Sequence, residues 1–81
     1  MTLLDDLSEN IRHRARALEA GQEFSLRELF GGREEFEKYG TSGQRKALGI
    51  QFRKAVADGV FEDITYSRHN QSPIEHVYRR V

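Results

Sequence analysis

The segment YSRHNQSPIEHVYRR, residues 66–80, decides the fold of this chain. It follows VFEDITYS, residues 60–67, and on both sides of its polar centre β-branched and aromatic residues alternate with polar ones. Such alternation is typical of strands. The centre, RHNQS at residues 68–72, has turn composition, and Pro73 stands where a second strand would begin, a position that tolerates its missing N–H. We predict a C-terminal β-hairpin whose loop, residues 68–72, is among the least ordered parts of the protein.

The N-terminal region has the pattern of an amphipathic helix. Thr2 followed by Asp5 resembles a helix start, and Gly21 is the expected stop. Between them, apolar residues recur at helical spacing on one face. These are Leu4, Leu7, Ile11, Ala15 and Leu18.

A second helix is predicted after the short extended piece QEF. Ser25 and Glu28 have the spacing of a capping box at its start. The pair Gly31-Gly32 is expected to bend or interrupt this helix, which then continues for another turn or two before Gly40.

Thr41 or Ser42 begins a predicted third helix that ends near Gly59. A helical wheel places Leu48, Phe52, Ala55 and Val56 on its buried side. The outer side carries Lys46, Ile50 and Lys54, with Arg53 at the flank.

The order helix, short strand, helix, helix and hairpin resembles the winged-helix domain, a variant of the helix-turn-helix. The resemblance spans residues 2–81 and predicts an α+β fold of three helices, a short strand after the first helix and a C-terminal hairpin wing, with residues 1–81 as a single domain. The stretches FSLRELFGG and LGIQFRKAVADGVF are also similar to those of a small bacterial and phage group of single-domain proteins with no established function.

The winged-helix resemblance implies a DNA-binding regulatory protein whose third helix enters the major groove. In that interpretation Lys46 and Lys54 contact phosphates, Arg53 contacts phosphate or guanine, and Ile50 makes an apolar base contact. Each cation is alternatively an ordinary solubilising charge. The wing residues that would face the duplex are Arg68, His69, Asn70 and Gln71.

The charge distribution contains evidence both for and against DNA binding. The net charge is zero, which argues against a strong nucleic-acid binder. Residues 41–81 contain seven Lys/Arg and four Asp/Glu, whereas residues 1–40 contain six and nine, so an anionic partner is favoured on one side only. The acidic cluster Glu34, Glu35 and Glu37 departs from the DNA-binding pattern.

Several classes of protein are disfavoured by composition. There is no cysteine, which excludes disulfides and thiolate metal sites and favours a reducing, cytoplasmic setting. No apolar run has the length of a membrane span, and the N-terminus is acidic where a signal peptide would be basic, so no membrane partner is expected.

An enzyme is not expected either. His13, His69 and His76 lack metal-ligand spacing, and the two later histidines are predicted not to lie opposite each other in a tight hairpin. The glycines do not form a phosphate-binding motif. We predict no catalytic residue, no metal and no cofactor.

The alternative to DNA is a protein partner. An exposed Ile50 and an acidic second helix would suit an interaction module, an accessory or inhibitor protein that docks on a larger complex. A homodimer is also compatible with the pattern, because dimers read paired half-sites.

Overall fold

Four α-helices and a three-stranded antiparallel sheet form an α+β arrangement in the computed structural model, which describes residues 2–71 and 74–81. The predicted α+β class is therefore confirmed. The elements are α1 (Leu3–Arg16), β1 (Glu23–Phe24), α2 (Leu26–Leu29), α3 (Arg33–Phe36), a 3₁₀ turn (Glu37–Tyr39), α4 (Ser42–Ala57), β2 (Ile64–Gln71) and β3 (Ile74–Arg80).

The two long helices begin with the same reciprocal cap. The Thr2 hydroxyl accepts the Asp5 N–H at 3.2 Å, and the Asp5 carboxylate accepts the Thr2 N–H at 3.1 Å. Thr41 and Gln44 repeat the arrangement at 3.2 and 2.8 Å. Each pair satisfies two N–H groups that a helix start would otherwise leave without a partner. The predicted starts of the first and third helices are confirmed.

The first helix is shorter than predicted. It ends at Arg16 instead of near Gly21, with Ala17 N–H closing the last turn on Arg14 O at 3.2 Å. Gly21 has φ 87°, a conformation that favours glycine, and donates its N–H to Arg80 O at 2.7 Å. The glycine therefore turns the chain towards the sheet instead of capping α1.

The predicted second helix is two separate helices, so the count of three helices is wrong. Ser25 caps α2, since its hydroxyl accepts the Glu28 N–H at 3.2 Å. The predicted capping box is only half formed, because the Glu28 carboxylate accepts the Ser25 hydroxyl at 3.2 Å instead of the Ser25 N–H. Gly31 and Gly32 then have φ 96° and 110°, and two consecutive residues in this region cannot continue a right-handed helix. The chain restarts as α3 and leaves through the 3₁₀ turn before Gly40.

The C-terminal cap of α4 makes the following strand begin later in the sequence than predicted. Gly59 has φ 79° and donates its N–H to Val56 O at 3.1 Å, while Val60 N–H donates to Ala55 O at 3.0 Å. This is a Schellman motif, and it uses residues that the alternation pattern had assigned to a strand. As a result β2 begins at Ile64, later than the predicted start at residue 60.

The hairpin is confirmed, and its strands are longer at the tip than predicted. The sheet order is β1-β3-β2, with Phe24 opposite Tyr78 and Tyr66 opposite Tyr78 on its other side. Residues 68–71 pair with residues 74–77, so they belong to β2 and not to a loop. The predicted roles of Ser72 in the loop and of Pro73 at the strand start fall outside the described residues.

One cluster of buried apolar side chains joins all the layers. Phe52 of α4 lies at its centre, with its ring centroid 4.7 Å from that of Tyr78 and 5.2 Å from that of Phe61. Ile11, Leu48 and Phe52 have no exposed surface. Among the helices described, none has both the length and the apolar character that crossing a bilayer requires.

Candidate nucleic-acid interface

The outer face of α4 meets the hairpin in an open groove of about 540 Å³. The helix supplies most of the lining, and β3 supplies one histidine. The lining residues are Lys46, Gly49, Ile50, Arg53, Lys54, Ala57 and His76.

Packing on the inner face of α4 holds this surface in place. Leu48, Phe52, Ala55 and Val56 are buried, as the helical wheel predicts. Because a helix repeats every 3.6 residues, burying this set turns the intervening positions towards solvent. All four predicted site residues of α4 are exposed, namely Lys46, Ile50, Arg53 and Lys54.

Ile50 lies among these cations with 67% of its surface exposed. Single exposed aliphatic residues are common on protein surfaces. The position of Ile50 between the cations of the groove is what makes it a candidate contact residue.

α4 is basic throughout. It contains Arg45, Lys46, Arg53 and Lys54 and no acidic residue. Arg45 is half-buried, and the chain itself engages its charge. Its guanidinium donates to two backbone carbonyls, Gly40 O at 2.7 Å and Glu37 O at 3.1 Å, and so ties α4 to the preceding turn.

Elsewhere in the protein, most cations are engaged by other parts of the chain. Nine Lys and Arg side chains have a carboxylate, carbonyl or other polar partner among the described residues. They are Arg12, Arg14, Arg16, Arg27, Arg33, Lys38, Arg45, Arg68 and Arg80.

The cations of the groove differ from this majority. Within the described ranges, Lys46, Arg53 and Lys54 have no carboxylate or carbonyl partner. The guanidinium carbon of Arg53 lies 5.2 Å from the centroid of the Tyr66 ring, which positions the side chain without neutralising it. Three positive charges on one helix face are thus available to an anionic partner.

The hairpin divides the predicted wing residues between two faces. Paired residues share a face, and successive residues in a strand alternate. His69 pairs with His76, which lines the groove, whereas Arg68 pairs with Val77 on the other face. By the same alternation Gln71 lies on the face of His69, and Asn70 on the face of Arg68.

Arg68 is held away from the groove by a charge pair. Its Nε atom lies 3.6 Å from a Glu23 carboxylate oxygen, and the Ser67 hydroxyl donates to that same oxygen. The hydrogen bond from Ser67 and the nearby positive charges lower the pKa of Glu23, so this carboxylate stays charged beside Arg68. The structure therefore does not bring Arg68 and Asn70 together with the α4 residues.

His76 is a groove residue that the sequence-based site omitted. It lies directly opposite His69, contrary to the prediction for a tight hairpin, and the two ring centroids are 4.9 Å apart. Burial, followed by the charge of Arg53 and the neighbouring His69, lowers the pKa of His76. Alternation along β3 places His76 on the face of Tyr78, and this pattern could have identified His76 as a groove residue.

The acidic cluster is partly neutralised within its own segment. Lys38 Nζ lies 3.0 Å from Glu35 Oε1, and Arg33 Nε lies 3.3 Å from Glu37 Oε1. These pairs reduce the repulsion that the segment would exert on a polyanion, although exposed pairs of this kind add little stability.

Comparisons of the chain with protein-family models, with curated proteins and with solved structures gave no match.

Proposed function

We propose that this chain is a winged-helix DNA-binding protein, in which α4 enters the major groove and the β2–β3 hairpin is the wing. The order of the elements supports this proposal. So does the sheet, in which the short β1 pairs with the last strand and leaves the hairpin beside α4. A bacterial or phage regulator would require only this small recognition unit.

The observation that carries the proposal is a set of three cations around an exposed Ile50, none of which has an acidic partner in the described part of the chain. DNA affinity derives largely from neutralised phosphates, which release condensed counterions. Cations already paired with carboxylates contribute less to that release. Lys46, Arg53 and Lys54 keep their full charge for it.

The dimensions of the face also suit a groove. With a rise of 1.5 Å per residue, Lys46 and Lys54 are about 12 Å apart along the axis, so a helix in the major groove presents them to different phosphates. We assign these two lysines to phosphates on either side and Ile50 to an apolar contact such as a thymine methyl. Arg53 contacts phosphate or guanine.

Fewer wing residues face the proposed DNA site than the sequence alone suggested. His69 and Gln71 share the groove face with His76, and we assign them to the DNA side. Arg68 and Asn70 lie on the opposite face, and Arg68 is paired with Glu23. They are left out of the proposed interface.

A salt titration tests the proposal. Binding of a labelled duplex is followed by fluorescence anisotropy between about 50 and 200 mM salt, where phosphate contacts produce a steep loss of affinity. Lys54→Ala should weaken binding to every sequence and reduce the slope of log affinity against log salt by about 0.9.

Lys38→Ala is the matched control, because it removes the same charge from a residue already paired with Glu35. It should leave the slope close to that of the wild type. Equal effects of the two substitutions would show that net charge alone governs binding, and an absence of binding at low salt would reject the proposal.

The exposure of Ile50 favours a second candidate, a surface for a protein partner. A helix face with a central aliphatic residue and a charged rim is a common form of interface. Ile50→Asp should then abolish association with that partner, while no duplex is bound even at low salt. A homodimer is the form in which two copies would read paired half-sites, and sedimentation with and without DNA measures it.

A further inference from the structure

We propose that His69 and His76 form a surface site for a divalent transition metal ion such as Zn²⁺, Ni²⁺ or Cu²⁺. The two residues are directly opposite in the β2–β3 ladder, on the same face, and their ring centroids are 4.9 Å apart with 32° between the ring planes. The site is independent of whether the α4 groove binds DNA.

The hydrogen bonds of the two rings leave the same nitrogen available on each. His76 Nδ1 lies 3.0 Å from the Tyr66 hydroxyl, and His69 Nδ1 lies 3.2 Å from the side-chain amide of Gln71. Among the described residues, neither Nε2 atom has a hydrogen-bond partner.

These Nδ1 contacts are of the kind that support a metal-binding histidine. When Nδ1 carries the proton, His76 donates to the Tyr66 hydroxyl and directs its Nε2 lone pair outward. For His69, rotating the Gln71 side-chain amide by 180° exchanges its nitrogen and oxygen, which occupy equivalent positions. The amide oxygen then accepts a hydrogen bond from the protonated Nδ1 of His69. Each ring then has an oriented lone pair.

The spacing of the rings meets the requirement of a shared ion. Imidazole nitrogens bind Zn²⁺ at about 2.0–2.1 Å, so two of them on one ion are at most about 4 Å apart. The ring centroids are 4.9 Å apart, so the two rings must tilt towards each other to share one ion. Both side chains are at least partly open to solvent, which gives the ion access.

The surroundings of His76 favour its neutral form, since burial lowers its pKa. Metal binding needs neutral imidazole. The pKa of His76 is lowered by burial first, then by the charge of Arg53 and by His69. Tyr66 from β2 contacts His76 through its hydroxyl, and Tyr78 lies two residues along β3 on the same face, with its own pKa raised by burial to about 12.

The chain supplies two ligands, and water completes the coordination. Within the part of the chain that the structure describes, no group of three or more His, Cys, Asp or Glu side chains is placed to hold a metal ion. A pair of imidazoles selects ions of the Zn²⁺, Ni²⁺ and Cu²⁺ class over Mg²⁺ and Ca²⁺, which prefer oxygen. Arg53 opposes the ion by charge repulsion.

Calorimetric titration of the untagged protein with Zn²⁺ and with Ni²⁺ in a non-chelating buffer at pH 7.5 tests the site. The expected result is one ion per chain, with affinity reduced about tenfold or more by His69→Gln and by His76→Gln. His13→Gln is the matched control, because His13 is an exposed histidine of α1. It should leave the affinity unchanged.

A second set of variants separates this site from adventitious binding. Arg53→Gln should strengthen binding, because it removes the opposing charge, and Tyr66→Phe should weaken it by releasing the Nδ1 contact of His76. Addition of paramagnetic Cu²⁺ should broaden the amide resonances of residues 69 and 76 first. If His69→Gln or His76→Gln binds as well as the wild type, or if His13→Gln weakens binding as much as either, the proposal is wrong.

Discussion

The two long helices, α1 and α4, begin alike and differ in how their exposed charges are used. Each starts at a threonine that forms a reciprocal capping box, and each buries an apolar face in the same core cluster. Their cations have different surroundings. Every arginine of α1 forms a polar contact with another part of the chain, whereas Lys46, Arg53 and Lys54 of α4 have no carboxylate or carbonyl partner among the described residues.

The α1 arginines connect the helix to later segments. Arg12 donates to Val60 O at 3.4 Å, and Arg16 Nε lies 3.3 Å from an Asp63 carboxylate oxygen. Arg14 is the best anchored, since it donates to the Asn10 side chain at 2.6 Å and to Leu29 O at 3.3 Å.

This difference shows that charge alone does not identify a binding surface. Both helices are rich in arginine or lysine, and only the contacts distinguish charges that hold the fold from charges left for a partner. Four sets of substitutions test this comparison of the two helices and the groove, in order from the largest expected effect to the smallest.

The largest effect separates the two faces of α4 itself. Phe52→Ala should lower the free energy of unfolding by about 3–5 kcal/mol, because the ring is fully buried and leaves a cavity. Ile50→Ala should change it by no more than about 0.5 kcal/mol. Urea denaturation measures both, and a large cost for Ile50 would mean that the outer face belongs to the core.

The second effect compares the arginines of the two helices. Arg14→Ala should cost about 2 kcal/mol, since hydrogen bonds to a charged group are lost from a partly buried site. Arg53→Ala should cost at most about 1 kcal/mol, the value of an exposed cation–π contact with Tyr66. Chemical denaturation of the two variants would contradict the comparison if Arg53 were the more costly residue.

The third effect tests the shared construction of the helix starts. Thr2→Ala and Thr41→Ala should each lower stability by about 1 kcal/mol through loss of the cap. Ser42→Ala is the matched control in α4, because its hydroxyl has no capping role. Thermal unfolding of the three variants would show unequal caps if one threonine alone proved costly.

The smallest effect concerns the histidine at the edge of the α4 groove. Because the folded-state pKa of His76 is lowered, the unfolded chain binds a proton first as pH falls. This contribution to stability is complete above the unfolded pKa of about 6.5 and is lost as pH decreases through it towards the folded value. His76→Gln should flatten that part of the curve of unfolding free energy against pH. An unchanged curve would show that His76 titrates alike in both states.

Much of α4 could be predicted from the sequence alone. Its start at Thr41, its buried face around Phe52 and its four exposed site residues all depend on relations within a few positions of the chain. The hairpin was also predictable, since alternation is a local pattern. The helix count was wrong because Gly31 and Gly32 both take positive φ, which composition does not reveal.

The wing was predicted less well because strand register depends on partners across the ladder. Turn-like composition at residues 68–72 suggested a loop, yet residues 68–71 are held in β2 by pairing with β3. A bulge between Tyr66 and Arg68 then sets which side chains share a face. It brings His69 opposite His76 and separates Arg68 from the groove.

Local sequence patterns were enough to locate the starts of the long helices, the buried face of α4 and the C-terminal hairpin. This is because caps and periodicity act over three or four residues. The tertiary structure decided which charges remain available. Arg14 reaches a carbonyl 15 positions away and Arg80 one 65 positions away, distances in sequence that no local pattern encodes. Only the folded chain leaves Lys46, Arg53 and Lys54 together without such partners among the described residues.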